Sequence, residues 1–255
     1  MAVLAIDIGN STIGFGVFDR GLLTGRMDTR PLLSSALYAG RFREFLGEKG
    51  MDKPPVGIVI SSVVPGHTGA VVEAARLLSG REPLVVGPAV DTGMGLDVDN
   101  PEELGADRLA ASVAAAEILP PPLVMVDFGT ATTVNYVAEG KVFRGGAILP
   151  GLGLMARSLS AGAARLPETA VRRPGAALGR NTEDCIVNGI VRGTAGAVER
   201  IIRDIERAEG RSMGTVATGG FAPVVLPLFE RECVLEPDLA LKGLVLIYER
   251  NQRGA

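Results

Sequence analysis

Histidine, lysine and cysteine are scarce in this 255-residue chain, and tryptophan is absent. The single histidine, His67, lies in the stretch PGHTG. Any Ser-His-Asp or Cys-His machinery, and any histidine-ligated metal, would have to run through it. No G-x-S-x-G elbow accompanies it, and its surroundings read as a solvated loop. Of 26 basic residues only Lys49, Lys53, Lys141 and Lys242 are lysines. No G-x-x-x-x-G-K-[ST] occurs, which excludes a P-loop. Cys185 and Cys233 are too few for a disulfide framework or a zinc site, and fit a reducing, cytoplasmic setting. No apolar run approaches the ~20 residues that span a bilayer; Asp127 interrupts the best candidate, residues 123–137. The start, MAVLAIDIGN, has no basic segment and does not read as a signal peptide.

What is abundant is apolar surface: 47% of residues are hydrophobic and the mean hydropathy is +0.28. The length allows one large domain or two small ones, at ~150 residues each. A net charge of -3 argues against partners held by bulk positive charge, whether nucleic acid or anionic lipid. If the chain is an enzyme, its acid-base work is expected of carboxylates.

An internal echo organises the chain. Residues 3–18 read VLAIDIGNSTIGFGVF and residues 123–137 read LVMVDFGTATTVNYV. Each has an apolar run, then Asp-x-Gly-x-x-Thr, then a second β-rich run, which predicts a hairpin. The offset is 120 throughout, pairing Asp7 with Asp127, Gly9 with Gly129 and Thr12 with Thr132. Such a turn can present backbone N–H groups to phosphate while its carboxylate addresses a cation or its water; an ordinary tight turn is the plainer alternative. Further strands are predicted at 57–66, 81–87, 214–223 and 231–237, with helices at 35–47, 68–79, 103–119 and 183–209. This alternation predicts an α/β fold in two halves, mixed but mostly parallel. The prolines at 120–122 divide the chain into domains 1–119 and 120–255.

Residues 97–112 read DVDNPEELGADRLAAS. Asn100, Pro101 and Glu103 form an N-cap, N1 and capping-box signature, so a helix is expected from there. Asp107 could take a proton from an alcohol and Arg108 could bind a carboxylate or phosphate in two-pronged fashion; a surface ion pair fits the same residues. Gly179-Arg180-Asn181-Thr182 is a second N-cap sequence. The stretch 145–153, GGAILPGLG, reads as a mobile loop or a site of close backbone packing, and Arg172-Arg173 as a small exposed basic spot.

Together these pieces resemble the type III pantothenate kinases, a family of the acetate and sugar kinase, heat-shock-protein and actin superfamily. The resemblance runs in order through DIGNSTIGFG, NPEELGADR, VDFGTATT, GGAILPG, ARLPE, GRNTEDCIVNGI, ATGG and LKGLVLIYERN. It implies two duplicated RNase H-like domains of the actin-like ATPase kind, with ATP between them. It also implies a homodimer whose interface helps form the pantothenate pocket. The implied activity is ATP-dependent phosphorylation of pantothenate to 4'-phosphopantothenate, the first step of coenzyme A synthesis, with Mg²⁺ and a monovalent cation, K⁺ or NH₄⁺.

By the same resemblance, Asp7, Ile8, Gly9, Asn10, Ser11, Thr12, Ile13 and Gly14 hold the ATP phosphates, with Asp7 nearest Mg²⁺ and its waters. Gly105, Ala106, Asp107 and Arg108 meet pantothenate, Asp107 as general base and Arg108 against the substrate carboxylate. Asp127 coordinates the monovalent cation, Thr130 contacts ATP, Thr182 touches pantothenate, and Gly219 and Gly220 border the adenine. The chain departs from the family pattern at Thr12, where an Asn is usual, at Asn135, where an Asp often follows, and at Val98, where many members carry Tyr. Two other readings share the fold: a non-catalytic ATP-binding accessory protein and a phosphohydrolase.

Overall fold

The computed structural model describes residues 2–19, 21–51 and 53–253. The chain forms two compact units, residues 1–117 with 238–255 and residues 118–237.

In the first unit, β1 (Val3–Ile8), β2 (Thr12–Phe18) and β3 (Leu22–Asp28) form an antiparallel meander, and β4 (Gly57–Ser62) and β5 (Leu84–Val85) extend it in parallel. The order is β3-β2-β1-β4-β5, so β2 alone runs against the others. Side chains alternate across the sheet. Leu4, Ile6 and Ile8 enter a core with Tyr38, Phe42 and Val71 of α1 (Ser35–Glu48) and α2 (Pro65–Ser79). Val3, Ala5 and Val59 enter the opposite core with Ala110, Leu244 and Ile247 of α3 (Ala106–Ile118) and the C-terminal helix α7 (Leu239–Arg253). Gly243 lets α7 approach α3 closely: a Cβ there would stand 1.8 Å from the Ala110 carbonyl oxygen. The final helix follows the second half in sequence but belongs to the first unit. A two-residue strand, β6 (Gly95–Leu96), precedes α3.

The second unit repeats the scheme. Here β7 (Leu123–Phe128), β8 (Ala131–Ala138) and β9 (Val142–Pro150) form the meander, and β10 (Gly214–Thr218) and β11 (Val234–Leu235) run parallel to β7. Val124, Val126 and Phe128 pack with Leu152 of α4 (Leu152–Gly162) and Val187, Val191 and Val198 of α5 (Thr182–Glu209). A short α6 (Ala222–Val225) follows β10. Gly189, Gly193 and Gly196 do not interrupt α5: they share its exposed stripe while the apolar stripe is buried. Asn181 caps α5, accepting from the Asp184 N–H at 2.9 Å.

Several local expectations change. His67 is buried in the first turns of α2, its Nδ1 hydrogen-bonded to the Tyr38 hydroxyl at 2.8 Å, because a tertiary partner 29 residues away draws it into the core. Asn100 makes no side-chain cap; Pro101–Glu103 is a single 3₁₀ turn and α3 begins only at Ala106. Residues 145–150 belong to β9, while Gly151 packs so closely that a Cβ would stand 2.2 Å from the Thr130 carbonyl oxygen. Arg172 is not a free basic spot but pairs with Asp184 at 2.6 Å.

The second unit carries a largely buried ion pair, Glu206–Arg231 at 2.7 Å, whose carboxylate also accepts the Met213 N–H at 2.9 Å. Burial works against the Glu206 carboxylate, but these hydrogen bonds outweigh it and hold it below its usual range. A lowered folded value gives stability that is present above the unfolded value and lost as pH falls through the folded one. Glu206→Gln should therefore cost about 1–3 kcal/mol at pH 7. In urea titrations its difference from the parent should shrink steadily below about pH 4.

Candidate active site

The alternation of β1 that buries Val3 and Ala5 beneath α3 and α7 puts Asp7 on the same face. The parallel register sets Ser61 directly beside it, and the Ser61 hydroxyl donates to Asp7 Oδ1 at 2.6 Å. Burial pushes the Asp7 carboxyl up to about 6; the Ser61 bond pulls it down, and the charge of Asp107 pushes it up again. Asp7 therefore senses the Asp107 charge within the first unit.

Asp107 comes from the first turn of α3, where a helix N-terminus favours negative charge. Its Oδ1 accepts the Arg108 N–H at 2.8 Å. Burial raises its pKa, against the lowering effects of that N–H and of the Arg108 charge. The Arg108 guanidinium is pulled down by burial and restored in part by Asp107. Gly105 makes the space: a Cβ there would lie 2.5 Å from Asp107 Oδ1 and 3.6 Å from Val63 Cγ1. Val63, just past β4, donates its N–H to the Ile8 carbonyl at 3.1 Å. The ends of β1 and β4 and the start of α3, with Ala106 at its head, thus converge. The carboxyl ends of parallel strands are the usual place for ligands in α/β sheets.

The first turn closes with the Gly9 N–H donating to the Thr12 carbonyl at 3.0 Å. Ile8 and Ile13 face each other across the hairpin, fully buried, so they offer a ligand backbone only. Asn10, Ser11 and Thr12 are exposed, and Gly14 pairs with Asp7. Thr29, just past β3, donates its hydroxyl to the Gly9 carbonyl at 2.7 Å and its N–H to the Ser11 carbonyl at 3.0 Å.

The second unit holds the counterpart. Its turn closes with the Gly129 N–H on the Ala131 carbonyl at 3.1 Å, one residue tighter than the first. Phe128 accordingly pairs with Thr132, whereas Ile8 pairs with Ile13. The sequence echo survives, but Thr12 is exposed and Thr132 is fully buried. Two glycines pass close to the Asp127 carboxylate. A Cβ at Gly129 would lie 3.2 Å from Asp127 Oδ1; one at Gly219, whose φ is +95°, would lie 2.4 Å from it. Thr130 accepts the Gly151 N–H at 3.1 Å, and Gly220 follows in the open. Thr182 is the exposed first residue of α5. Asn135 is buried and donates to the Met125 carbonyl at 3.4 Å and Thr133 Oγ1 at 2.9 Å; an ionised Asp could donate neither bond.

Among the described residues no group of three or more His, Cys, Asp or Glu could hold a metal ion. The Asp7 carboxylate instead suits a hard divalent cation that takes most of its ligands from phosphate and water. The cradle at Asp127, which a Cβ would fill, suits one cation on a single carboxylate. Sequence reading passed over Ser61 and Thr29. Ser61 is recognisable only once β4 is set parallel to β1, and Thr29 only once the turn is folded.

A family model described as type III pantothenate kinase matches residues 3–204. A type III pantothenate kinase from Moorella thermoacetica is 39% identical over 254 residues, covering 98% of this chain and 99% of the relative. Among solved structures, a Baf family protein from Campylobacter jejuni named for transcriptional activation superposes with a TM-score of 0.62 at 20% identity, covering 98% and 99% of the two chains. The activator of 2-hydroxyisocaproyl-CoA dehydratase from Clostridium difficile gives 0.58 at 11% identity over 100% and 98%. At such identities the structural likenesses show the fold.

The space at Gly105 generates a test. In Gly105→Ala the methyl displaces a flexible carboxylate, not backbone. Turnover should fall about 10-fold or more through lost positioning, while the thermal midpoint moves little.

Proposed function

This chain belongs to the type III pantothenate kinase family, and on that premise we propose that Asp107 is the base through which it phosphorylates pantothenate with ATP. The reaction is the first step of coenzyme A synthesis. The observation that carries the assignment is the convergence of the ends of β1 and β4, with Asp7, on the start of α3, with Asp107, whose charge raises Asp7 and beside which Gly105 clears space.

Asp107, raised by burial, is a stronger base than an exposed aspartate. It takes the proton of the pantothenate primary hydroxyl as that oxygen attacks the γ-phosphorus. The bond from the γ-phosphorus to the bridging oxygen breaks, and ADP leaves with the electron pair. Arg108 pairs with the pantothenate carboxylate, Gly105 and Ala106 line the same place, and Thr182 adds a contact. The turn from Asp7 to Gly14 offers backbone N–H groups to the phosphates. Thr130 meets ATP, and Gly219 and Gly220 border the adenine.

ATP acts with a divalent metal, which we assign as Mg²⁺ held by Asp7 and water; when bound it neutralises charge on the phosphoryl oxygens. Asp127, in its glycine cradle, takes a monovalent cation, K⁺ or NH₄⁺. A homodimer has its support in α5, where Gly189, Gly193 and Gly196 leave open space along one exposed stripe that another backbone could approach. No helix among the described residues is long and apolar enough to cross a membrane, and the two free cysteines suit a cytoplasmic location.

A coupled assay of ADP release, with and without pantothenate and in K⁺ then Na⁺, tests the reading. Turnover should require pantothenate, rise with K⁺, and fall at least ~10²-fold in Asp107→Asn. ADP release indifferent to pantothenate would replace the kinase with a hydrolase. Saturable ATP binding without turnover would leave an accessory protein.

A further inference from the structure

We propose that Thr29 is a positioning residue that shapes the phosphate turn for ATP. This rests on the reading above that the turn holds the phosphates. Thr29 belongs to none of the motifs of the turn itself; it reaches it from the end of the neighbouring strand β3 and is 2% exposed. Its two polar groups hold two carbonyls of the turn at once. The hydroxyl donates to Gly9 at 2.7 Å and the N–H donates to Ser11 at 3.0 Å.

The consequence follows from peptide geometry. Across a planar trans peptide, the carbonyl of one residue and the N–H of the next point in opposite directions. Holding the Gly9 carbonyl toward Thr29 therefore turns the Asn10 N–H away from β3. Holding the Ser11 carbonyl does the same for the Thr12 N–H. Both residues are exposed, so the two N–H groups face a ligand on the side opposite Thr29. The Gly9 N–H is already committed to the Thr12 carbonyl, which closes the turn around them. A pair of convergent backbone N–H groups is an anion site, and a phosphoryl oxygen of ATP is the anion the turn would take. Without the Thr29 hydroxyl, the Gly9–Asn10 peptide is free to rotate and the pair is no longer fixed before ATP arrives. The Thr29 backbone bond remains, so the turn loses half of its restraint and not its fold.

Thr29→Val keeps the shape and removes the hydroxyl, whereas Thr29→Ser keeps the hydroxyl. The expected result for Thr29→Val is a KM for ATP raised about 5- to 20-fold, with the KM for pantothenate and kcat within about twofold; Thr29→Ser should restore ATP affinity. An unchanged KM for ATP overturns the proposal, as does an equal rise in both KM values or a Ser variant as impaired as Val. A second measurement needs no variant. On adding a non-hydrolysable ATP analogue to the ¹⁵N-labelled parent protein, the Asn10 and Thr12 amide resonances should shift; if neither does, the assignment of these N–H groups fails. Absence of pantothenate-dependent ADP release in the parent would instead count against the kinase reading and leave the amide measurement standing.

Discussion

A carboxylate kept out of bulk water at the end of a central strand constrains the whole of the first unit. Asp7 lies in β1 between an antiparallel and a parallel neighbour, with its side chain on the face covered by α3 and α7. A one-residue slip in register would swap it with the Ile6 or Ile8 position and bury it against Phe42 and Val71. The same register brings Ser61 to its side. It also points the carboxylate toward the start of α3, where Asp107 adds a second negative charge. Two carboxylates raised by burial form an arrangement that costs stability. Such perturbed groups mark functional sites.

The second unit uses the same hairpin with a different turn. The two Asp-x-Gly turns differ by one residue in their closure, and this small difference alters what they present. The longer turn exposes Asn10, Ser11 and Thr12, where the proposal puts the phosphates. The shorter one buries Thr132 and leaves Asp127 beside glycines at 129 and 219, where the proposal puts the monovalent cation. The glycine at 219 is required by both its positive φ and the 2.4 Å approach that a side chain would make to the carboxylate. The two units share similar frames, and local turn length separates what they expose.

Much of this was legible in the residues because the signals were local. Apolar runs broken by Asp-x-Gly became paired hairpins, and the alternation of strand and helix became two sheets with helices on them. Asp107 and Arg108 fell at a helix start as expected, although the start was Ala106 and not Asn100, since the chain spends Pro101–Glu103 on a 3₁₀ turn. What stayed hidden was set by contacts distant in sequence. His67 looked solvent-facing until Tyr38 claimed its ring nitrogen. Ser61 and Thr29 were ordinary strand-end residues until parallel and antiparallel pairing carried them to Asp7 and the turn. The last helix follows the second unit in sequence, yet its apolar face is complementary to β1 and β4, so packing overrode chain order.

In the proposed mechanism Asp7 serves the nucleotide side, and Asp107 serves the proton of the acceptor alcohol. That division separates binding from chemistry at Asp107. The most direct measurement is single-turnover rapid quench of Asp107→Asn beside calorimetric titration of pantothenate and an ATP analogue. Binding of both ligands should stay within about threefold of the parent, while phosphoryl transfer in the bound complex slows ~10²-fold or more. Intact phosphoryl transfer with lost pantothenate affinity would show that Asp107 only holds the substrate, and would contradict the assignment of the base.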